Sequence, residues 1–331
     1  MHNPFATTLR LLMPLALVAG LSAPAALAAE KTVRVALGDI ETVETLNLLI
    51  ALEKAKERGV AVELTAFKSE DIAAQAVVGG QADIGVGTPY ALLQKVKAPI
   101  RIFYQLSTLR FFPMVDASRY KGWKDLDGQE IVVHSRGSGT EAIMNLMAQR
   151  NGITYKSISY VPGSEVRAGA MLQGNIHATI VDSANRRLLM EKGGDRFMVL
   201  PMEGVDASDE ALYASQEFLT SNAEAVDILV EEMLTVWREI NKDPNYVVEQ
   251  RAKYKLLPDL PADLEGEVLP YFQESVANGA FGNNGGLKAA QDDFDFYSIA
   301  GQLEGDPAAL KVEDFWDLGP LTKALGKLGQ V

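Results

Sequence analysis

Apolar positions along this chain alternate between two rhythms, and each change of rhythm predicts an element. "KTVRVALG", from Lys31, is a short apolar run closed by glycine and reads as a strand. "TVETLNLLIALEKAKERG" follows, with Leu46, Leu49, Ile50 and Leu52 at helical spacing and Gly59 placed to stop it. "VAVELTAF" predicts a second strand. Ser69-Glu70-Asp71 then offers an N-cap with acids in the first turn, ahead of "IAAQAVVGG". "ADIGVG" is a third strand, and "PYALLQKVK" starts a helix at Pro89, where the missing N–H costs nothing. Strands alternating with helices predict an α/β fold with a mostly parallel sheet flanked by helices.

The same order then repeats. "RIFYQLS" and "RFFPMVD" are extended runs, and "GWKDLDGQEIVVHS" supplies a turn, a strand from Glu130 to His134 and a glycine-rich loop. "SGTEAIMNLMAQRNG" predicts a helix capped by Ser138 or Thr140, with Ile143, Leu146 and Met147 on its apolar side. "SISYVPG", "EVRAGAMLQG", "IHATIVD" and "ANRRLLMEKGG" give strand, helix, strand and helix. "EALYASQEFL" turns extended again. Beyond it the pattern is helical, led by the stripe Val226, Leu229, Met233, Trp237 and Ile240. These helices need a surface to cover, and the first half of the chain is the natural one. The expected organisation is therefore a first lobe from 29–113 and 212–331 and a second from 114–211. Crossings near 110–116 and 208–215 would be hinge strands.

An internal echo ties the halves together. "VVGGQADIGVGTPYAL", from Val77, and "MLQGNIHATIVDSANR", from Met171, align with Gly80 against Gly174, an offset of 94 residues. Each apolar run ends in a small or polar tip: Gly87-Thr88-Pro89 in one and Asp182-Ser183 in the other. Strand ends followed by such turns are where open parallel sheets bind ligands, so two facing lobes predict a cleft.

Composition narrows the setting. Arg10 precedes an apolar run ending in Ala26-Leu27-Ala28, the pattern of a secretory signal peptide over residues 1–28. Removing it from 331 residues leaves 303, enough for two cores. The chain has no cysteine, so an exported form is held by its core alone and carries no lipid on a cleavage-site cysteine. The formal charge is −13, and it becomes −14 when Arg10 leaves. That surface disfavours nucleic acid and anionic membranes.

The order of "ADIGVGTP", "WKDLDGQEIVVHSRGSGTEAI", "LQGNIHATIVDS" and "FDFYSIAGQL" after a secretory signal resembles the nitrate/sulfonate/taurine class of periplasmic solute-binding proteins. That class feeds ABC importers and shares its fold with the thiamine-pyrimidine precursor group. The resemblance spans the whole processed chain and rests on order and spacing rather than on one motif. It implies a two-lobed periplasmic-binding-protein fold, a monomer in the periplasm, a small organic solute between the lobes, and an inner-membrane ABC permease as partner. It also implies ligand-facing positions at Gly38 to Glu41, Thr88 and Pro89, Ser107 to Arg110, Arg136 to Thr140, Gly163 to Glu165, and Asp182-Ser183. Asp39 and Glu41 stand where the family often places aromatic residues.

The residues themselves carry this chemistry. Ser138-Gly139-Thr140 opens a helix whose first N–H groups lack internal partners, so an anionic group docks there naturally, or Ser138 or Thr140 simply caps the helix. Arg136 and Arg110 are able to fork onto a carboxylate or sulfonate, or to remain solvated charges. Thr88 offers a hydroxyl, whereas Asp83 reads as satisfying nearby backbone donors. Asp39, Glu41 and Asp182 are candidates to accept from a ligand's N–H groups, or to pair with Arg110 or Arg136; Ser107, Ser164, Glu165 and Ser183 are ligand-facing as the resemblance implies. A sulfonate, a carboxylate or a zwitterion fits this mixture.

Other chemistries find little support. His2, His134 and His177 show no metal-ligand spacing, and "DDFDFYSIAG" lacks the mid-loop glycine of a calcium site. "SRGSGT" lacks the spacing of a nucleophile elbow. No cofactor, metal or catalytic residue is expected. The rival readings are an enzyme of the related pyrimidine-synthesis group and a ligand-sensing module.

Overall fold

A computed structural model of the protein describes residues 32–279 and 285–330. The expected signal peptide lies outside the described residues. Ten strands form two five-stranded sheets among the described residues: β1 (Val33–Leu37), β2 (Val62–Ala66), β3 (Ile84–Gly87), β4 (Ile100–Gln105), β5 (Phe112–Asp116), β6 (Glu130–Val133), β7 (Ser157–Tyr160), β8 (Ala178–Val181), β9 (Phe197–Val199) and β10 (Ala211–Ser215). The orders are β2-β1-β3-β10-β4 and β7-β6-β8-β5-β9. In the first sheet only β10 runs against its neighbours, and in the second only β5 does. Helices on the faces complete two lobes of α/β type. Each lobe thus has the same strand order, and the one reversed strand of each arrives from the other lobe's stretch of chain.

The internal echo is structural. β3 and β8 occupy the same position in their sheets. Gly80 and Gly174, at the ends of the preceding helices, both hold positive φ, +70° and +77°, where a Cβ is penalised. The same backbone bonds close both turns: Gln81 N–H to Ala76 O at 2.8 Å, and Asn175 N–H to Ala170 O at 2.9 Å.

The hinge differs from the expected one. β5 and β10 are interior strands, and the chain crosses in 106–111 and 200–210 instead. Extended apolar residues read alike whether paired in a sheet or bridging two, so the pattern misplaced the crossings. The two segments pair with each other through Leu106 N–H to Glu210 O (2.7 Å), Asp209 N–H to Ser107 O (3.0 Å) and Leu109 N–H to Ala207 O (2.9 Å). Asp293, fully buried, braces them by accepting from Ser208 N–H and from the Tyr90 hydroxyl. Tyr297, from the "FDFYSIAGQL" segment, donates to Ser208 O at 2.6 Å.

The C-terminal helices do cover the first lobe. Val230, Val236 and Trp237 of the helix Ala223–Lys242 pack in one core with Leu48 and Ile50 of the helix Leu46–Glu57. Burying side chains of that size contributes roughly 1.5–3 kcal/mol each. A second core runs through the hinge, where Leu109 and Phe111 join Tyr213 of the first sheet to Ile131 and Ile180 of the second. Among the described residues no helix is long and apolar enough to cross a membrane.

Candidate functional site

The carboxyl ends of the parallel strands from both sheets converge between the lobes. β1 delivers Gly38 and Asp39, β3 delivers Thr88, β6 delivers His134, and β8 delivers Asp182. Polar contacts cross the gap here, among them His134 Nδ1 with Asp39 Oδ2 at 3.5 Å. His134 Nε2 lies 3.0 Å from Gly38 O, and the Thr88 hydroxyl lies 3.2 Å from Gly137 O. The helix Ser183–Gly193 also clasps the opposite lobe, with Arg187 paired to Glu267 and Glu274.

Inside the gap is a polar pocket of about 20 Å³, lined by Asp39, Glu44, Glu70, Asp209 and Glu210 from the first lobe and the crossings, with Phe111 beside them. His134, Gly139, Thr140, Ser164 and Arg167 line it from the second lobe. The pocket is acid-rich, and its carboxyls feel it. Burial, reinforced by Asp209 and Asp182, holds Glu44 well above the usual glutamate range. Burial and then neighbouring carboxylates do the same to Asp209 and Glu210. Glu44 and Asp209 both line this pocket, and each bears on the other's protonation. Burial also raises Glu70, against the opposing pull of His134 and of the Thr88 donors. Arg167, 1% exposed, gives N–H bonds to Ile180 O, Val161 O and Ser164 Oγ, so much of its hydrogen-bonding capacity holds the fold.

A second, larger cavity of about 600 Å³ is lined in part by sequence neighbours of the pocket residues. Glu41 and Val43 line it beside Asp39 and Glu44, and Glu165 lines it beside Ser164. Leu172, Leu188, Leu257, Leu260 and Leu264 give it apolar surface, with Lys192, Asp259 and Asp263 interspersed. Burial first, then Asp39 and Asp182, push Glu165 up to about 7.

The expected site residues divide. Asp39, Gly139, Thr140 and Ser164 line the acid pocket; Glu41, Glu165 and Asp182 line the larger cavity. Thr88 is at the tip of β3, but both its N–H and its hydroxyl engage Glu70. Ser138 caps the helix Gly139–Asn151, its hydroxyl donating to Ser135 O at 2.8 Å and accepting from Glu141 N–H at 3.3 Å. Asp182 caps the helix Ser183–Gly193 and takes both Asn185 N–H (2.8 Å) and Asn185 Nδ2–H (2.9 Å). Pro89 begins a helix, Ser107 Oγ accepts from Glu210 N–H at 3.4 Å, and Ser183 is buried with its hydroxyl unpartnered.

The two arginines fall outside the lining of both spaces. Arg110 donates to Leu109 O and Asn278 O, and Arg136 is exposed, its guanidinium 5.3 Å from the centroid of the Tyr160 ring. Asp83 takes the structural role foreseen, bound at 2.9 Å by the Arg34 backbone and again by its guanidinium. Glu44, Glu70, Arg167, Asp209 and Glu210 were missed. The adjacent acids at 209 and 210 were the available signal, but in sequence they read as a solvated loop. Arg167 reads as an ordinary helix residue until its burial is seen.

The family model described as NMT1/THI5 like matches residues 44–246. Among solved structures, a protein of Bordetella bronchiseptica RB50 superposes with a TM-score of 0.72 at 19% identity, covering 91% of this chain and 99% of its own. The periplasmic nitrate-binding protein of Synechocystis PCC 6803 gives 0.68 at 13%, over 90% and 89%. The alkanesulfonate-binding protein of Xanthomonas axonopodis pv. citri, bound to MOPS, gives 0.61 at 16%, over 84% and 96%. No curated protein sequence matches the chain. At these identities the likeness is one of fold, and it is the two-lobed fold of periplasmic binding proteins. With that fold and a family match over most of its length, the chain belongs to the NMT1/THI5-like family.

Proposed function

We propose that this protein is an extracytoplasmic solute-binding protein that takes one small organic solute between its lobes and delivers it to an ABC permease. The carrying observation is the convergence of strand ends from both sheets on space lined by both lobes. Such a site is complete only when the lobes are together, so a solute that touches both favours the closed form. The paired crossings 106–111 and 200–210 are the hinge that this motion uses. The solved neighbours named for nitrate and alkanesulfonate binding support solute capture as the role of the fold. The secretory pattern at residues 1–28 supports action in the periplasm, and the crossings support the lobe boundaries as one discontinuous and one continuous segment.

The test is a thermal-shift screen of the purified protein against sulfonates, carboxylates, amines, amino acids and pyrimidines, followed by small-angle scattering with each hit. A solute that raises the melting temperature and compacts the protein is the expected result. Chemical turnover of the hit under the same conditions would replace this reading with an enzymatic one.

A further inference from the structure

We propose that the helix Ser183–Gly193 is an electrostatic gate, whose three cations hold the lobes closed beside the larger cavity until their ion pairs part. This rests on the solute-binding reading and names what sets its balance of open and closed forms.

The first argument is where the charges lie. Among the described residues, every ion pair that joins a lysine or arginine of one lobe to a carboxylate of the other starts on this helix. Arg187 pairs with Glu267 at 2.5 Å and with Glu274, Arg186 reaches Glu274 at 3.2 Å, and Lys192 pairs with Asp263. All these bases belong to the second lobe and all these acids to the first, so closure makes every one of the contacts at once. An isolated surface pair contributes little. Here Arg187 and Glu274 are each shared between two pairs, and a network of that kind is where such contacts gain weight.

The second argument is that each half of the clasp is fastened to its own lobe. The Arg186 guanidinium lies 4.2 Å from the centroid of the Phe112 ring, in β5. On the other side Arg251 bonds Glu265 at 3.0 Å and Leu257 O at 3.1 Å, bracing the segment that carries Asp263. The parting line between the lobes therefore runs through the ion pairs.

The third argument is position. Lys192 and Asp263 both line the larger cavity and pair with each other across it, one from each lobe. Asp182, Asn185 and Leu188 line the same space, the first as cap and the others as members of this helix. One element thus carries both the cavity wall and the clasp, so opening the clasp moves the wall. A solute held against that wall in turn favours the closed clasp.

The test is small-angle scattering of the purified, ligand-free protein. The variant Arg186→Gln/Arg187→Gln/Lys192→Gln should have a larger radius of gyration than the parent, and Lys192→Glu should expand the protein by charge reversal alone. Lys192→Glu combined with Asp263→Lys exchanges the signs of one pair and should restore the parent's dimensions, which a role in packing would not do. Circular dichroism verifies that the variants fold. Lys192 and Asp263 are the most open pair of the clasp, 44% and 39% exposed, so reversal there spares the core. Parent dimensions in the triple variant, or an exchanged pair as expanded as Lys192→Glu, would overturn the gate and leave the solute-binding reading standing. The expected scattering changes together with no solute from the wider screen would keep the clasp and remove that reading.

Discussion

His134 Nε2, in the second lobe, lies 3.0 Å from the carbonyl oxygen of Gly38, in the first, while Gly163 N–H points at His134 Nδ1 from 3.3 Å. Nδ1 also lies 3.5 Å from Asp39 Oδ2, so both ring nitrogens are engaged, and both reach groups of the first lobe. One imidazole thus ties a loop of its own lobe to the strand end of the other. His134→Ala should cost about 1–3 kcal/mol in chemical denaturation and enlarge the radius of gyration of the ligand-free protein. An unchanged midpoint together with unchanged scattering would mean that this contact does not hold the lobes together.

Glu44 and Asp209 line one pocket among other acids, and burial keeps both above the ordinary carboxylate range. Glu44→Gln leaves a neutral side chain that keeps the donor of the protonated acid and cannot ionise at high pH. The ligand-free variant should therefore be more stable than the parent by about 1 kcal/mol at pH 8, with the difference vanishing near pH 4. Urea melts at the two pH values check this. Equal loss of stability at both would instead mark Glu44 as a packing residue.

The wider pH profile follows from the same groups, with the sign reversed from the common carboxylate case. Glu165 is raised to about 7 by burial and nearby acids, and Asp293 to about 6 by burial. A raised carboxyl binds its proton more tightly folded than unfolded. It therefore imposes no penalty below the ordinary value, a growing one as pH rises to the folded value, and a constant one above. For Glu165 alone this is roughly 3 kcal/mol between pH 4.5 and 7. Asp116 works the other way, since its bonds with Ser118 lower it and that stability is lost as acid protonates it. The ligand-free protein should melt highest near pH 5 and several degrees lower at pH 8, read by differential scanning calorimetry. A maximum at or above pH 7 would contradict the charge crowding.

Gly85, in β3, lies under the ring of Tyr213 on β10, where an added Cβ would sit inside the ring's van der Waals surface. Tyr213 is 1% exposed and has nowhere to move. Gly85→Ala should cost about 1–3 kcal/mol. The matching position of the second lobe, Thr179, carries a larger side chain without such a conflict, because its hydroxyl donates to Val132 O at 2.8 Å. Thr179→Ser keeps that bond and should leave the unfolding free energy within about 1 kcal/mol of the parent.

Much of the architecture is legible in the residues. The helix stripe at Val226, Leu229, Met233, Trp237 and Ile240 is buried as its spacing requires, and Ser138 and Asp182 cap the helices that follow them. Gly80 and Gly174 mark the duplicated turn because few other residues tolerate that backbone. The hinge was displaced because apolar extended segments carry no label for pairing partners. Arg110 and Arg136 were credited with ligand contact because arginine type is readable, whereas the direction of a long side chain is not.

The local periodicities and turn residues of this sequence determined its elements, their alternation and the duplicated lobe. Only the tertiary structure decided which charges share the gap. Residues 44, 70, 167 and 209 meet there from separate stretches of chain, and electrostatic energy depends on distance and burial rather than on order along the backbone.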